Sequence, residues 1–410
     1  MWIGMKFFVD CDGVTEPQGF FASGVSCNVL GKNNGKLDLG VIYSPRPCTA
    51  AGTFTTNDVK ASPVRYCMDL LSDPTQSFHG VVANSGNANA CTGKQGDLDC
   101  AKMASETARH LKVHSREIFV CSTGRIGVKL PMTKITTGIA HACQDTLEEL
   151  DGGQAFQEAI LTSDTKTKSC SAQIETPSGK ITIGGTVKGA GMIEPNMATM
   201  LAFLTTDASV SSAFLKECLT VAVRKSFNLM TIDGDMSTND SVLILANGFS
   251  RIELENEPES IRSEFQEAVV QVCKTLARKC VTDGEKVTKF VELRVEGAAS
   301  EQDAEKVARC VANSLLVKTS WFGSDPNWGR LVDAAGYARV GLNFEEMDIF
   351  YNDVPAVEKG TPLPMNKSKW KDVVSQKSFV ITMNLHMGTE SSMIWSNDLS
   401  EEYVNYNKSE

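Results

Sequence analysis

Between Lys188 and Leu204 the chain runs from a kinked polar segment straight into an apolar one, and this stretch limits its folding choices more than any other. The segment Lys188-Gly-Ala-Gly-Met-Ile-Glu-Pro-Asn-Met-Ala-Thr199 carries two glycines and a proline, which interrupt regular structure. Met200 to Leu204 follows and reads as a buried strand. Thr199 therefore stands at the mouth of that strand, directly after the small residue Ala198. A hydroxyl in that position can attack the preceding carbonyl and displace its own peptide nitrogen. After hydrolysis such a threonine has a free α-amino group with an ordinary pKa of about 8. That amine can serve as general base for the neighbouring hydroxyl. A threonine can also open a strand simply by packing and hydrogen bonding, and residue chemistry alone leaves both readings open.

The rest of the chain alternates strands with amphipathic helices. The first 95 residues are rich in Gly, Asn, Thr and Val and read as strands and turns. Residues 97–113 turn helical, with Leu98, Met103, Ala104, Ala108 and Leu111 at helical spacing. A hairpin is expected around Gln173 to Lys188, turning at Pro177-Ser178-Gly179. Ser209 is placed to cap a helix with Val210, Phe214, Leu215, Cys218 and Ala222 on its face. Residues 259–280 put Ile261, Phe265, Ala268, Val269, Val272, Cys273, Leu276 and Cys280 on one stripe. A helix over 303–316 precedes a loop rich in Gly, Asn and Trp. Alternation of this kind predicts helices layered over sheets.

Composition narrows the function classes. At 410 residues with 42% hydrophobic and 22% charged side chains, the chain can bury a large core, in two or three domains or in one large core with a smaller partner. Its net charge of -10 disfavours non-specific nucleic-acid binding, which needs clustered Lys and Arg. The 13 cysteines show no CxxC pair and read as mostly buried, reduced thiols. His110 and His114 have the spacing of two helical metal ligands but no third ligand nearby, and read as packed or solvated side chains. Asp233-Gly-Asp235 with Asn239-Asp240 departs from the calcium-loop pattern and reads as a structural turn. No apolar run reaches the roughly 18 residues a membrane span needs. The N-terminus lacks the marks of a signal or transit peptide, so the cytoplasm is the expected location, with the mitochondrial matrix open to a eukaryotic protein whose N-terminus is incomplete.

A series of short motifs gives the chain its resemblance. They are Ala50-Ala-Gly-Thr-Phe-Thr-Thr-Asn57, Asn84-Ser-Gly-Asn-Ala-Asn-Ala-Cys-Thr-Gly93, Ser122-Thr-Gly-Arg-Ile-Gly127, Thr162-Ser-Asp-Thr165, Asp233-Gly-Asp-Met-Ser-Thr-Asn-Asp240 and Phe322-Gly-Ser-Asp-Pro-Asn-Trp-Gly-Arg330. With the segment ending at Ala198-Thr199, they resemble the motifs of the ornithine acetyltransferase (glutamate N-acetyltransferase) family, in order, from about residue 14 to residue 407.

The resemblance implies a layered αββα sandwich of the self-processing N-terminal-nucleophile type with a smaller C-terminal part. It implies self-cleavage between Ala198 and Thr199 into an α chain, 1–198, and a β chain, 199–410, which pair as an α2β2 heterotetramer. Thr199 becomes the nucleophile, and Thr123 and Gly124 form the oxyanion hole, where each donor is worth roughly 3 kcal/mol. Thr162, Lys188, Thr199, Glu285 and Asn407 bind substrate, Lys188 suiting a carboxylate and Glu285 an ammonium. Asn84, Asn87 and Asn89 form a loop that supports the site. The implied reaction, a step of arginine biosynthesis, moves acetyl from N2-acetylornithine to glutamate through Thr199 and releases ornithine, with no cofactor or metal. Some members also accept acetyl-CoA, and this sequence leaves that open. A self-processing aminopeptidase or amidase and an uncleaved scaffold are the other two readings.

The chain departs from the family at three places. Arg125 stands where a small apolar residue is usual. Lys286-Val287 follow Glu285 in place of Gly-Ala. The family's terminal hydroxyl residue falls beyond Asn407, at Ser409 or past the end.

Overall fold

The computed structural model describes residues 5–32, 34–148, 152–194 and 200–408. They form two compact units. The larger comprises residues 1–189, 196–228 and 236–280, and the smaller 190–195, 229–235 and 281–410. The expected division at 198/199 concerns a cut implied by the resemblance, and these units do not bear on it.

Nine strands build the larger unit among the described residues: β1 (Lys6–Val9), β2 (Phe21–Val25), β3 (Leu39–Phe54), β4 (Phe78–Asn84), β5 (Ile118–Ser122), β6 (Ser169–Thr176), β7 (Gly179–Lys188), β8 (Leu201–Thr206) and β9 (Ser241–Ala246). They run in the order β1-β6-β7-β8-β9-β3-β4-β5, with β2 also paired to β3. The long strand β3 pairs with β4 through its first half and with β9 through its second, so it belongs to two layers. The helices here are α1 (Ser62–Leu70), α2 (Gly93–Leu111), α3 (Met132–Glu148), α4 (Gly153–Ala159), α5 (Ser212–Arg224) and α6 (Glu259–Thr282, whose last two residues fall in the smaller unit).

Side-chain alternation shows why the layers stack. Val81, Ala83, Phe119 and Cys121 face inward and meet Leu201, Phe203, Leu243 and Leu245 in one core. The intervening Val82, Ile118 and Val120 face the other way, onto Met103, Ala104 and Leu111 of α2 and Ile135 and Ile139 of α3. Strands apolar on both faces need cover on both, and each fully buried side chain of this size contributes about 1.5–3 kcal/mol. On the opposite side α6 lies against β6 and β7: the Cys170 thiol donates to Val272 O at 3.5 Å, and a Cβ on Gly185 would lie 3.1 Å from Val272 and Leu276. Helix, sheet, sheet and helix thus follow in succession, the layered α/β sandwich that the resemblance implies.

The smaller unit holds a sheet of β10 (Phe290–Ala298), β11 (Asp348–Tyr351), β12 (Val354–Glu358), β13 (Thr361–Pro362), β14 (Ser378–Asn384) and β15 (Glu390–Asn397). Its helices are α7 (Glu301–Ala312), α8 (Leu315–Phe322), α9 (Trp328–Gly336), α10 (Lys367–Val374) and α11 (Glu401–Asn407). Val291, Leu293 and Ile381 of the sheet pack with Val307, Val311, Trp321 and Leu331.

Several expectations need correction. The first 95 residues include a helix, α1, started by Pro63 near its first position with Val64, Cys67 and Leu70 on the buried face. Ser209 does not cap α5. Its amide donates to Ile252 O at 2.9 Å, which keeps it extended, and Ser211 caps instead through Phe214 N at 3.4 Å. The helix over 303–316 is two helices, because Ser314 starts a second one by accepting from Val317 N at 3.4 Å. The Gly-, Asn- and Trp-rich loop becomes helical at Trp328, where Asn327 caps through Arg330 N at 3.3 Å. Leu98 is 64% exposed because the buried stripe of α2 runs through Cys100, Met103, Ala104, Ala108 and Leu111. The expected hairpin is present as β6 and β7, with Thr176 opposite Gly179. Most of the cysteines are buried and none of the described ones forms a disulfide, while Cys91 is exposed. His114 caps a short turn by accepting from Arg116 N at 3.3 Å. Among the described residues no helix is long and apolar enough to cross a membrane.

Candidate active site

The site of the larger unit begins where β5 ends. Ser122, Thr123 and Gly124 leave the sheet in a turn whose last residue has φ +129°. A Cβ on Gly124 would lie 2.3 Å from Gly86 C and 2.5 Å from Asn87 N, so only glycine lets the two loops touch. The asparagine loop holds this turn in place. Ser122 Oγ donates to Asn84 Oδ1 at 2.7 Å, and Asn84 Nδ2 donates to Asn87 O at 2.9 Å. Asn87 Nδ2 donates to Val128 O at 3.0 Å. Asn239 spans both loops, with Nδ2 donating to Ala88 O at 2.6 Å and to Ser122 O at 2.9 Å. All three side-chain amides are buried, and buried amides with satisfied donors rigidify what they join.

Lys188 ends β7 and sits opposite Leu201 of β8. It is 2% exposed, and its Nζ donates to Thr123 Oγ1 at 3.3 Å. Because Thr123 Oγ1 accepts from the ammonium, its own proton is free to donate elsewhere. The Gly124 N–H has no acceptor among the described residues. Two donors on one turn beside a buried cation make a place for developing negative charge.

Thr162 joins this group through Asp164, which the sequence reading passed over. Asp164 Oδ2 accepts from Thr162 N at 3.2 Å, and Oδ1 accepts from Gly189 N at 2.7 Å and from Lys168 Nζ at 2.6 Å. The Asp164–Lys168 pair is fully buried. Burial alone would raise the Asp164 carboxyl, but the charges of Lys188 and Lys168 hold it well below the ordinary carboxylate range. The half-buried Thr162 also accepts Lys36 Nζ through its carbonyl at 3.0 Å. The signal for Asp164 was present in the quoted motif, as an Asp two residues after Thr162 and four before a Lys.

Glu285 and Asn407 are brought together in the smaller unit. Asn407 Nδ2 donates to Glu285 Oε2 at 3.1 Å and to Tyr403 O at 2.9 Å. Glu285 N donates to Ala190 O at 2.8 Å, and a Cβ on Gly191 would fall 2.6 Å from the Glu285 carboxylate. Asp233 accepts from Met192 N at 2.6 Å, Ile193 N at 2.8 Å and the Tyr403 hydroxyl at 3.3 Å. The segment before Pro195 is therefore fastened by the Asp233 carboxylate and by the Glu285 backbone N–H. Asp233 and Tyr403 were not anticipated as site residues, although Asp233 stood in a motif read as a turn, which it is. Ala198, Thr199 and Ser409 lie outside the described residues. Arg125 is exposed.

The chain matches the family model described as "ArgJ family" over residues 21–409. It is 41% identical over 396 residues to the arginine biosynthesis bifunctional protein ArgJ of Thermotoga neapolitana, covering 95% of this chain and 98% of that protein. It is 43% identical over 397 residues to the protein of the same name from Symbiobacterium thermophilum, covering 97% and 98%. Among solved structures, the ornithine acetyltransferase of Mycobacterium tuberculosis complexed with ornithine is 37% identical, with a TM-score of 0.42 over 47% of this chain and 98% of that one.

Proposed function

Since the chain belongs to the ArgJ family, we propose that it is an acetyltransferase of arginine biosynthesis, moving acetyl from N2-acetylornithine to glutamate on Thr199 after cutting itself behind Ala198. The near full-length similarity to relatives named for arginine biosynthesis supports the pathway. The observation that carries the chemistry is the contact of Lys188 Nζ with Thr123 Oγ1 beside an obligatory glycine. It provides an anion-stabilising turn next to the strand that Thr199 precedes.

In this reading the Thr199 α-amine takes the hydroxyl proton, and Oγ adds to the acetyl carbonyl. Thr123 Oγ–H and Gly124 N–H hold the resulting oxyanion, a contribution of roughly 3 kcal/mol per donor. The carbon–nitrogen bond breaks, and ornithine leaves with the proton. Glutamate's amine then attacks the Thr199 ester, with the same two donors serving the second oxyanion. The bond between Thr199 Oγ and the acetyl carbon breaks, acetylglutamate leaves, and the amine's proton passes through the Thr199 α-amine back to Oγ. Lys188 suits a substrate carboxylate, and Glu285, aligned by Asn407, suits an ammonium group. Acetyl travels on the protein, so this route uses no cofactor. The α2β2 assembly and a cytoplasmic location belong to the same proposal.

The test is intact-mass measurement with a transfer assay. Two chains near half mass, together with acetylglutamate formed from acetylornithine, support the reading. A chain that is cut but only hydrolyses acetylornithine points to an amidase. An uncut, inactive chain overturns the proposal. Running the assay with acetyl-CoA as sole donor decides whether that donor is used.

A further inference from the structure

Asp240 is a buried acid that the mechanism above leaves unused. It stands just before β9 and is fully buried. Its Oδ1 accepts from Met200 N at 3.0 Å, while Ser241 N donates to Met200 O at 3.1 Å. Consecutive residues thus grip both backbone groups of the residue that follows Thr199. The other carboxyl oxygen, Oδ2, is buried and has no hydrogen-bond partner among the described residues. The nearby Thr55 hydroxyl donates to Ser237 O at 2.7 Å instead. A buried polar atom left without a partner is destabilising by about 1–3 kcal/mol, which calls for a use.

We infer that Asp240 is the acid of chain maturation, whose Oδ2 carries the proton that the Thr199 nitrogen takes when the Ala198–Thr199 bond breaks. This rests on Thr199 as the self-cleaving nucleophile. Met200 N is three covalent bonds from that nitrogen, so the carboxyl that binds it is anchored at the scissile end of β8. Burial also pushes the carboxyl well above the ordinary carboxylate range, against the opposing pulls of the Met200 amide, of Lys188 and of the neighbouring Ser237 and Thr55 hydroxyls, and so favours the protonated acid.

The step balances. Thr199 Oγ adds to the Ala198 carbonyl carbon, and the carbon–nitrogen bond of the tetrahedral intermediate breaks. The nitrogen takes the Asp240 proton and becomes an amine. The Asp240 carboxylate regains a proton from the one released by Thr199 Oγ. Water then hydrolyses the ester, returning the Thr199 hydroxyl and leaving the Ala198 carboxylate, whose proton goes to the new amine.

The experiment follows maturation by intact mass in chains refolded from denaturant. Asp240→Asn keeps an acceptor for Met200 N but has no acidic proton. Its fold is compared with that of uncut Thr199→Ala by circular dichroism. The expected result is a native fold with maturation slowed about a hundredfold or more, not restored by hydroxylamine, because no ester accumulates. Maturation within about twofold of the unmodified chain overturns the proposal, as does rapid release of fragments by hydroxylamine. Asp240→Glu and Asp240→Gln give a second pair of equal length in case the Asn variant misfolds. The Glu chain must mature faster than the Gln chain, and equal rates overturn the proposal. If Thr199→Ala itself is cut, the nucleophile assignment fails and the acid role fails with it, whereas an uncut Thr199→Ala beside a normally maturing Asp240→Asn removes Asp240 alone.

Discussion

Lys188 Nζ donates to Thr123 Oγ1 at 3.3 Å, tying the end of β7 to the turn that leaves β5. The lysine therefore has two tasks in the proposed reaction, attracting a substrate carboxylate and orienting a donor. Lys188→Met should raise KM for both amino-acid substrates and also lower kcat by about tenfold or more, since one donor of an anion site is disordered. Maturation should slow as well. Steady-state kinetics on matured chains check this, and unchanged kcat/KM for both substrates would remove Lys188 from the pocket.

Thr199→Ala should give one uncut chain without transferase activity, because a single hydroxyl is proposed both to cut the chain and to carry acetyl. Intact mass reads the first effect and acetylglutamate formation the second. Two chains from this variant would show that the nucleophile is another residue.

Gly124→Ala meets backbone atoms of Gly86 and Asn87 at 2.3 and 2.5 Å and also places a side chain at φ +129°. Backbone strain of this kind is worth about 1–3 kcal/mol. Relief must come from parting the two loops, which displaces the Gly124 N–H. Transfer should fall about a hundredfold or more while most of the fold survives. A fully active, normally stable variant would take Gly124 out of the anion site.

Asp164 predicts a pH dependence. Its native carboxyl is held below the ordinary range by Lys188 and Lys168 despite burial. An acid depressed on folding contributes stability above its unfolded pKa of about 4 and loses that contribution as pH falls further. In a Thr199→Ala background, where unfolding involves one chain, Asp164→Asn should be less stable by about 3–5 kcal/mol at pH 7. The gap between the two proteins should narrow below about pH 4. Urea titrations at pH 7 and pH 3 measure it, and a constant gap would contradict the pairing.

Arg125→Val should leave kinetics with both donors within about twofold, since exposed side chains away from contacts have small effects. A tenfold loss, about 1.4 kcal/mol, would mean that the guanidinium reaches the reacting centre, and a loss confined to acetyl-CoA would mean that it binds that donor.

Much of this was legible in the sequence. The hairpin of β6 and β7 was readable because Pro177-Ser178-Gly179 interrupts two alternating runs, and α6 because its apolar stripe is long. Thr123, Gly124 and Lys188 were reached only through the family motifs, since a Ser-Thr-Gly turn and one lysine carry little signal alone. What stayed hidden depended on contacts between distant segments. Asp164 matters because Lys188 and Lys168 flank it, Asn239 because it bridges two loops, and Asp240 because one of its oxygens is left over after Met200 is bound. The helix α1 was lost among turn-forming residues, and the cap of α5 shifted because Ser209 was already engaged with Ile252.

Strand β8 pairs with β7 on one side and with β9 on the other. β7 precedes the Ala198–Thr199 bond in the chain, and β9 follows it. If that bond is cut as proposed, a strand in the interior of the sheet has one neighbour on its own chain and one on another. The molecularity of folding then changes. The precursor folds in a first-order process, whereas the matured protein, once its strands part, can recover only through a second-order encounter of two chains. Dilution should leave refolding of Thr199→Ala unaffected and slow recovery of the matured enzyme, so that heating and cooling become a one-way passage for the form that works.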